Sequence, residues 1–380
     1  MLKKILLFAD WYEPGFKAGG PIRSCVNFVA SMSENYQLFV FTSDRDLGST
    51  QPYPEVRTGE WITATNGVRL YYGEPAGLSW KNIRRQMDAV QPDFIYLNSM
   101  FSLKFTIFPL LINRMRSGQP PRIVLAPRGM LRDSAIRFKS GKKKIFLNAI
   151  RLLGLHRTVW WHATDPTEAA DIRRFFGEDA KVEVLPNFPA ALGEVGPIPK
   201  KEAGEVKLIY IGRIHPIKNL DFLLTVLKDV RTKVRLTIVG SAEDEGYWDK
   251  CRRIIKELPQ TVEVEWLGEI ANDALPAITA GHHILVSPTH GENFGHAIME
   301  ALSLGKPALI SDQTPWRDLT AAKAGWDIPL DSPGRFREAI EQAGAFTQEE
   351  YDGWSCSARQ YVKKIIDQQD LINNYQKLFT

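Results

Sequence analysis

The chain has 380 residues, 44% hydrophobic and 24% charged, with a formal net charge of +4. That length exceeds one ordinary core, so a soluble protein of two α/β domains is expected. Cys25, Cys251 and Cys356 lie far apart and outside any ligand-spaced cluster, which argues against a disulfide framework or a zinc site and suits a reducing cytosol.

The opening MLKKILLFAD has only a few apolar residues before Asp10 and Glu13, and no small-residue cleavage site follows. It reads as a buried first strand, not a secretory leader. Short apolar runs at 4–8, 38–42, 68–72, 94–97, 123–126, 159–163 and 182–185 predict strands, and helical spacing appears at 22–32, 80–90, 106–116 and 166–176. Strands apolar on both faces and joined by helical crossovers indicate a parallel, doubly wound sheet. The apolar stretch 100–112 holds Lys104 and Pro109 and is too short to span a bilayer. No transmembrane helix is expected.

Between the first strand and the first helix stands EPGFKAGGPIRS, where Gly19 and Gly20 would let the backbone pack against phosphate or sugar. A simple turn is the plainer alternative, since neither GxGxxG nor a P-loop occurs. Further on, residues 128–157 carry nine Lys/Arg against Asp133 alone, a local +8 in a chain whose remainder sums to −4. Within 132–157 the cations alternate with Phe138, Ile145, Phe146, Leu147, Ile150, Leu152 and Leu153. Either a wet basic helix lies on the sheet, or this surface meets something anionic such as a bilayer.

The pattern pauses at 186–205, where four prolines and three glycines mark a linker. It restarts with strands at 207–211, 235–239, 262–267, 284–287 and 307–310, helices at 220–230, 247–258, 273–280 and 295–304, and a helical tail from about 350 to 378. The domains read as 1–188, linker 189–205, 206–355, and a terminal helix 356–380 packing back on the first domain. Two similar nucleotide-type folds then face across a cleft, with ligands at the carboxyl ends of their strands.

The most informative stretch is SPTHGENFGHAIMEALSLGKPALIS (287–311), a strand, a glycine-containing loop and a helix opening near Phe294 or Gly295. Glu292 precedes the helix and Glu300 stands eight residues later. If helical throughout, that spacing is about 12 Å, too far for a paired acid and base on one bond. Free N–H groups of Phe294 and Gly295 would suit an anion, and Gly291 and Gly295 leave room for close approach. In YIGRIHPIKNLDFLL (210–224), a strand runs into Gly212 and Arg213, with Lys218 at the start of the next helix. Two cations there would stabilise a departing diphosphate without a metal. The plainer reading of each piece is a solvated loop charge; the ensemble argues against it.

Gly212-Arg213…Lys218 followed by Glu292-NFGHAIM-Glu300 resembles glycosyltransferase family four, a retaining GT-B group. AGGPIR, APRGML (126–131), HATDPTEAADI (162–172) and ISDQTPWRDL (310–319) fall where that family has recognisable segments, so the likeness covers essentially the whole chain. The resemblance implies the two-domain GT-B fold, with an acceptor-binding first domain and a nucleotide-sugar-binding second. Arg213 and Lys218 would bind the donor diphosphate, Glu300 the ribose hydroxyls, and Glu292 would face the sugar beside the amides of Asn293, Phe294 and Gly295. Gly19 and Gly20 would close over the phosphates. Where many relatives carry a histidine near the sugar, this chain has Pro127-Arg128-Gly129, so Arg128 would take that contact. His162, His215, His290 and His296 read as structural.

The resulting expectation is a metal-independent, retaining transferase without a cofactor, using a UDP- or GDP-sugar and a saccharide or polyprenyl-diphosphate-linked acceptor in surface polysaccharide synthesis. It would be cytoplasmic, with peripheral contact at the inner face of the membrane through 132–157, and would bind no nucleic acid. The alternatives are a sugar-nucleotide epimerase of the same architecture, or a non-catalytic binder of sugar nucleotides or nucleic acid. Only the basic patch supports the latter, and no nucleic-acid motif accompanies it.

Overall fold

The structure, a computed structural model, describes residues 2–132, 135–136, 140–190, 198–368 and 370–380, and for residues 140, 142, 367 and 368 the backbone alone. It divides into two compact units, Met1–Phe188 with Asp370–Thr380, and Pro189–Gln369.

In the first unit the strands are β1 (Lys4–Phe8), β2 (Gln37–Ser43), β3 (Trp61–Thr63), β4 (Arg69–Gly73), β5 (Phe94–Leu97), β6 (Arg122–Leu125), β7 (Val159–Ala163) and β8 (Val182–Val184). They form one sheet in the order β3-β4-β2-β1-β5-β6-β7-β8. Every pairing is parallel except β3 with β4. The order reverses between β1 and β5, which leaves a crevice at their carboxyl ends. Helices α1 (Gly20–Met32), α2 (Trp80–Val90), α3 (Phe108–Arg114), α4 (Ser140–Leu152) and α5 (Pro166–Phe176) accompany it.

Strand periodicity explains the two-sided core. Ile5 and Leu7 of β1 join Cys25, Phe28 and Val29 of α1 in one buried cluster. Leu6 and Phe8, the alternate residues, join Met87, Leu147 and Trp161 in another.

The second unit is a six-stranded parallel sheet, β9 (Glu205–Ile211), β10 (Lys233–Val239), β11 (Val262–Trp266), β12 (Ile284–Ser287), β13 (Ala308–Ser311) and β14 (Gly325–Ile328), in the order β11-β10-β9-β12-β13-β14. Its helices are α6 (Leu220–Leu227), α7 (Glu245–Lys256), α8 (Leu275–Ala280), α9 (His296–Ser303), α10 (Pro333–Ala345) and α11 (Gln348–Gln368). Leu208 and Tyr210 of β9 pack with Leu223, Trp248 and Phe336, whereas Ile209 packs with Met299, Leu302 and Val362. A last helix, α12 (Leu371–Leu378), returns to the first unit, where Tyr375 and Phe379 pack tilted against Phe28.

Three departures from the sequence reading have local causes. The helix expected at 106–116 begins as a π-helical turn, Leu103–Ile107. Ser102 Oγ accepts from Phe105 N at 3.1 Å there, and Thr106 Oγ1 donates to the Ser99 carbonyl at 2.7 Å. The helical tail is two helices, α11 and α12, not one. Strands β3 and β14 are too short for alternation to show, and α10 has glycines near both ends that blur its period. Residues 191–197 of the expected linker lie outside the described residues.

Candidate functional site

The carboxyl edge of the second sheet is assembled by two loops that run side by side. After β9 the chain passes Gly212 and Arg213, and Ile214 N donates to the Ser241 carbonyl at 2.7 Å in the loop after β10. Gly240 makes this approach possible. Its φ is 145°, and a Cβ there would lie 2.0 Å from the Gly212 carbonyl oxygen, so any side chain would push the two strand ends apart. The loops bring Glu243 to Arg213, whose Nη1 donates to Glu243 Oε2 at 2.8 Å.

His215 then caps a short 3₁₀ turn, Pro216–Lys218, by accepting from Ile217 N at 3.2 Å. Burial, with the charge of Arg213 next, holds the imidazole below its ordinary pKa; Glu243 and Asp244 oppose them. The imidazole Nδ1 thus serves the local turn.

The loop after β12 is tied to this turn. His290 N and Thr289 Oγ1 both donate to the Ile217 carbonyl, at 2.8 and 3.0 Å. Glu292 N donates to the Gln313 carbonyl at 3.0 Å, and Ser311 Oγ to the Thr289 carbonyl at 2.5 Å. These bonds bring the Glu292 carboxylate onto the Lys218 ammonium as an ion pair. Helix α9 starts at His296, after Gly295 with φ 79°. Of the two acids only Glu300 is helical, and it is partly buried.

A Cβ on Gly295 would meet Ile298 at 2.9 Å and Glu292 at 3.1 Å, so glycine is needed for space as well as for backbone angle. Trp316 Nε1 donates to the Phe294 carbonyl at 2.7 Å and fixes the turn. Among the described residues the N–H groups of Phe294 and Gly295 find no acceptor. They are donors at a helix start, suited to an anion.

In this unit the structure brings together Gly212, Arg213, Lys218, Glu292, Asn293, Phe294 and Gly295, with Glu300 in the following helix. Sequence reasoning missed Gly240, Glu243, Thr289 and Trp316. A glycine directly after a predicted strand was the available signal for Gly240. Trp316 lies in the segment ISDQTPWRDL, where nothing local marks its role.

In the first unit Gly19, at φ 62°, precedes α1, and Gly20 is its exposed first residue. Asp46 shapes the turn by accepting from Phe16 N at 2.8 Å and Lys17 N at 3.1 Å. At the end of β6, Arg128 takes a positive φ of 56°. Its Nε and Nη2 donate to Asn98 Oδ1 at 3.2 and 2.6 Å, Nη2 also donates to Tyr96 Oη at 2.8 Å, and Nη1 donates to Asn187 Oδ1. The sequence reading assigned this guanidinium to the sugar. In the structure all three of its nitrogens are hydrogen-bonded within the unit, where β5, β6 and the segment after β8 converge on it.

The network continues through His162, whose Nε2 lies 2.8 Å from the Leu185 carbonyl and whose Nδ1 lies 2.7 Å from Tyr96 Oη. Those partners require the Nε2–H tautomer, with the Tyr96 hydroxyl donating to Nδ1. Burial, aided by the Arg128 charge, pushes the His162 pKa down to about 3.

The basic segment is only partly described: residues 133, 134 and 137–139 and the side chain of Lys142 lie outside the described residues. On α4, Leu147 and Ile150 are buried, whereas Ile145 is 72% and Leu152 88% exposed. Lys143 Nζ donates to the Ala135 carbonyl at 2.6 Å. Among the described residues no helix is long and apolar enough to cross a membrane, and no cluster of His, Cys, Asp or Glu is arranged to hold a metal ion.

Residues 197–353, which contain the whole second-unit constellation, match the family described as glycosyl transferases group 1. O-antigen chain mannosyltransferase B of Escherichia coli is 31% identical over 112 residues, 28% of each chain. D-inositol 3-phosphate glycosyltransferase of Rhodococcus erythropolis is 26% identical over 118 residues, 29% of this chain and 27% of that one. The matched stretch thus spans little more than a quarter of either relative. Among solved structures, Anabaena HepE in complex with UDP-glucose is 14% identical with a TM-score of 0.69, over 99% of this chain and 98% of that one. Sucrose-phosphate synthase of Thermosynechococcus elongatus is 16% identical with a TM-score of 0.71, over 99% and 98%. WaaG, a glycosyltransferase involved in lipopolysaccharide biosynthesis, is 14% identical with a TM-score of 0.62, over 99% and 98%. At these identities the likeness establishes the fold: two parallel-sheet α/β domains of the GT-B type.

Proposed function

We propose that this chain is a retaining, metal-independent glycosyltransferase that moves a sugar from a nucleoside-diphosphate donor to a glycan or lipid-linked saccharide during assembly of a bacterial surface polysaccharide. The observation that carries the reading is the edge of the second sheet. Arg213, Lys218 and the Phe294 and Gly295 amides converge there from loops hydrogen-bonded to one another. Cations and helix-start amides held in advance suit a diphosphate, because charge that develops as the glycosyl–phosphate bond breaks meets donors needing no reorganisation.

Glu300 holds the ribose hydroxyls and Glu292 faces the sugar. In the first unit Gly19 and Gly20 keep the start of α1 open to a phosphate or sugar, and Arg128 acts by bracing the loops around it. The UDP-glucose complex of HepE favours a UDP-sugar, and the O-antigen mannosyltransferase and WaaG favour a cell-surface glycan as product. The exposed Ile145 and Leu152 beside Lys144 and Arg151 favour contact with an anionic membrane surface bearing a polyprenyl-diphosphate-linked acceptor.

The test is a thermal-shift screen against UDP-, GDP-, ADP- and dTDP-linked sugars, followed by product analysis with and without acceptor, in chelator. Stabilisation by one donor and acceptor-dependent glycoside with retained configuration is the expected result. Conversion of the donor without acceptor would indicate the epimerase, and a strict metal requirement would reject the mechanism.

A further inference from the structure

Both cations assigned to the diphosphate are already occupied by carboxylates: Lys218 by Glu292, and Arg213 by Glu243. Glu292 belongs to the site by its position in the loop before α9. Glu243 does not. It sits after β10, in the stretch Ser241-Ala242-Glu243-Asp244 that Gly240 lets run against the Arg213 loop. We infer that Glu243 is a tethered stand-in for a ligand phosphate, holding the Arg213 guanidinium until a nucleoside diphosphate displaces it and recapturing it on release. The inference rests on the function proposed above and deepens it, naming a residue that sets affinity for the diphosphate without touching the sugar.

Exposure decides which pair exchanges. The Lys218 and Glu292 side chains are 20% and 22% exposed, those of Arg213 and Glu243 44% and 30%. An ion pair in contact with water is weak, because solvent competes for both partners and long side chains must be ordered to make it. A phosphate offers a guanidinium charge-assisted hydrogen bonds of the same geometry with more charge. Arg213 can therefore change partners at small cost. Among the described residues Glu243 has no second partner that would keep it in place, and neighbouring Asp244 is committed to capping α7 by accepting from Tyr247 N at 2.9 Å.

The experiment is calorimetric titration of the intact chain with UDP and with GDP. Compared are the wild type, Glu243→Gln, Glu243→Ala, Arg213→Gln and the Arg213→Gln/Glu243→Gln double variant, with melting curves confirming each fold. Glu245→Gln controls for general loss of negative charge, since Glu245 is exposed in the same stretch. With an exposed pair of ordinary strength, both Glu243 variants should bind the better nucleotide about two- to fivefold tighter than wild type. Glu245→Gln should change binding less, and the gain should vanish when Arg213 is also replaced. Weaker binding by the Glu243 variants would make Glu243 an orienting residue and overturn the inference. So would a gain equal to that of Glu245→Gln or one surviving loss of Arg213. Absence of binding by the wild type would be a different failure, removing the reading of the site itself and the stand-in with it.

Discussion

Each unit ends a central strand in a turn that carries an arginine, and the two arginines keep opposite company. Arg128 donates to neutral groups, Asn98, Asn187 and Tyr96, which are themselves fixed by strands and by the segment after β8. Arg213, like Lys218 beside it, is held by a carboxylate and stands partly in water. Pro-Arg-Gly and Ile-Gly-Arg look alike as sequence. One guanidinium is a brace whose removal strands several polar groups; the other is a charge on loan, able to take another anion.

The largest effect that would sharpen this contrast is on turnover. Arg213→Ala or Lys218→Ala should lower kcat by about 30- to 1000-fold, corresponding to roughly 2–4 kcal/mol of transition-state stabilisation, with little change in melting temperature. Full activity in both would break the comparison on the second unit's side. Arg128→Ala should do the reverse. It leaves Asn98, Asn187 and Tyr96 short of partners, so denaturant unfolding should show a loss on the order of 2–4 kcal/mol, while UDP or GDP binding at the second sheet is kept. A variant as stable as wild type but inactive would return Arg128 to the sugar.

Gly240→Ala comes next. It forces a Cβ against the Gly212 carbonyl and should lower stability by about 1–3 kcal/mol, and nucleotide affinity should fall with it because the Arg213 loop moves. Unchanged melting and binding would show that the close strand approach is dispensable.

A smaller signal is expected from pH. His162 has a folded pKa of about 3 against an ordinary 6.5, so the unfolded chain binds the extra proton between those values. Its contribution to stability is full above about pH 6.5 and declines as pH falls towards 3. Melting temperature should drop from pH 6.5 to 5, before most carboxylates titrate, and more shallowly in His162→Gln. An identical slope in the variant would mean that another group carries the effect. The exchange at Glu243, two- to fivefold in affinity, is the smallest effect of the set.

Much of the fold was legible because burial leaves a local mark. The apolar runs of β1, β5, β7 and β12 coincide with the strands to the residue, and α2 and α5 match equally well. Capping explains the helices: Ser79 and Asp165 accept from N–H groups of the first turn. The loops of the second unit were legible as a constellation, since Arg213, Lys218, Glu292 and Gly295 all fall between predicted strands and helices. Beyond that the local signal ends. Nothing near Lys104 tells that the backbone will take a π-helical turn before α3, and nothing near Arg128 tells that Asn187 will meet it.

By itself the sequence determined two doubly wound sheets, their strand ends, and which charged residues those ends would carry, because period, turn chemistry and helix starts act over a few neighbours. Tertiary structure alone decided what each charge is bound to. Lys218 and Glu292 are 74 positions apart, Arg128 and Asn187 59, and Arg213 and Glu243 30. Such pairs form only when the strands have been ordered in a sheet and their loops hydrogen-bonded together. An arginine becomes a brace or a binding group according to the partners that arrangement supplies.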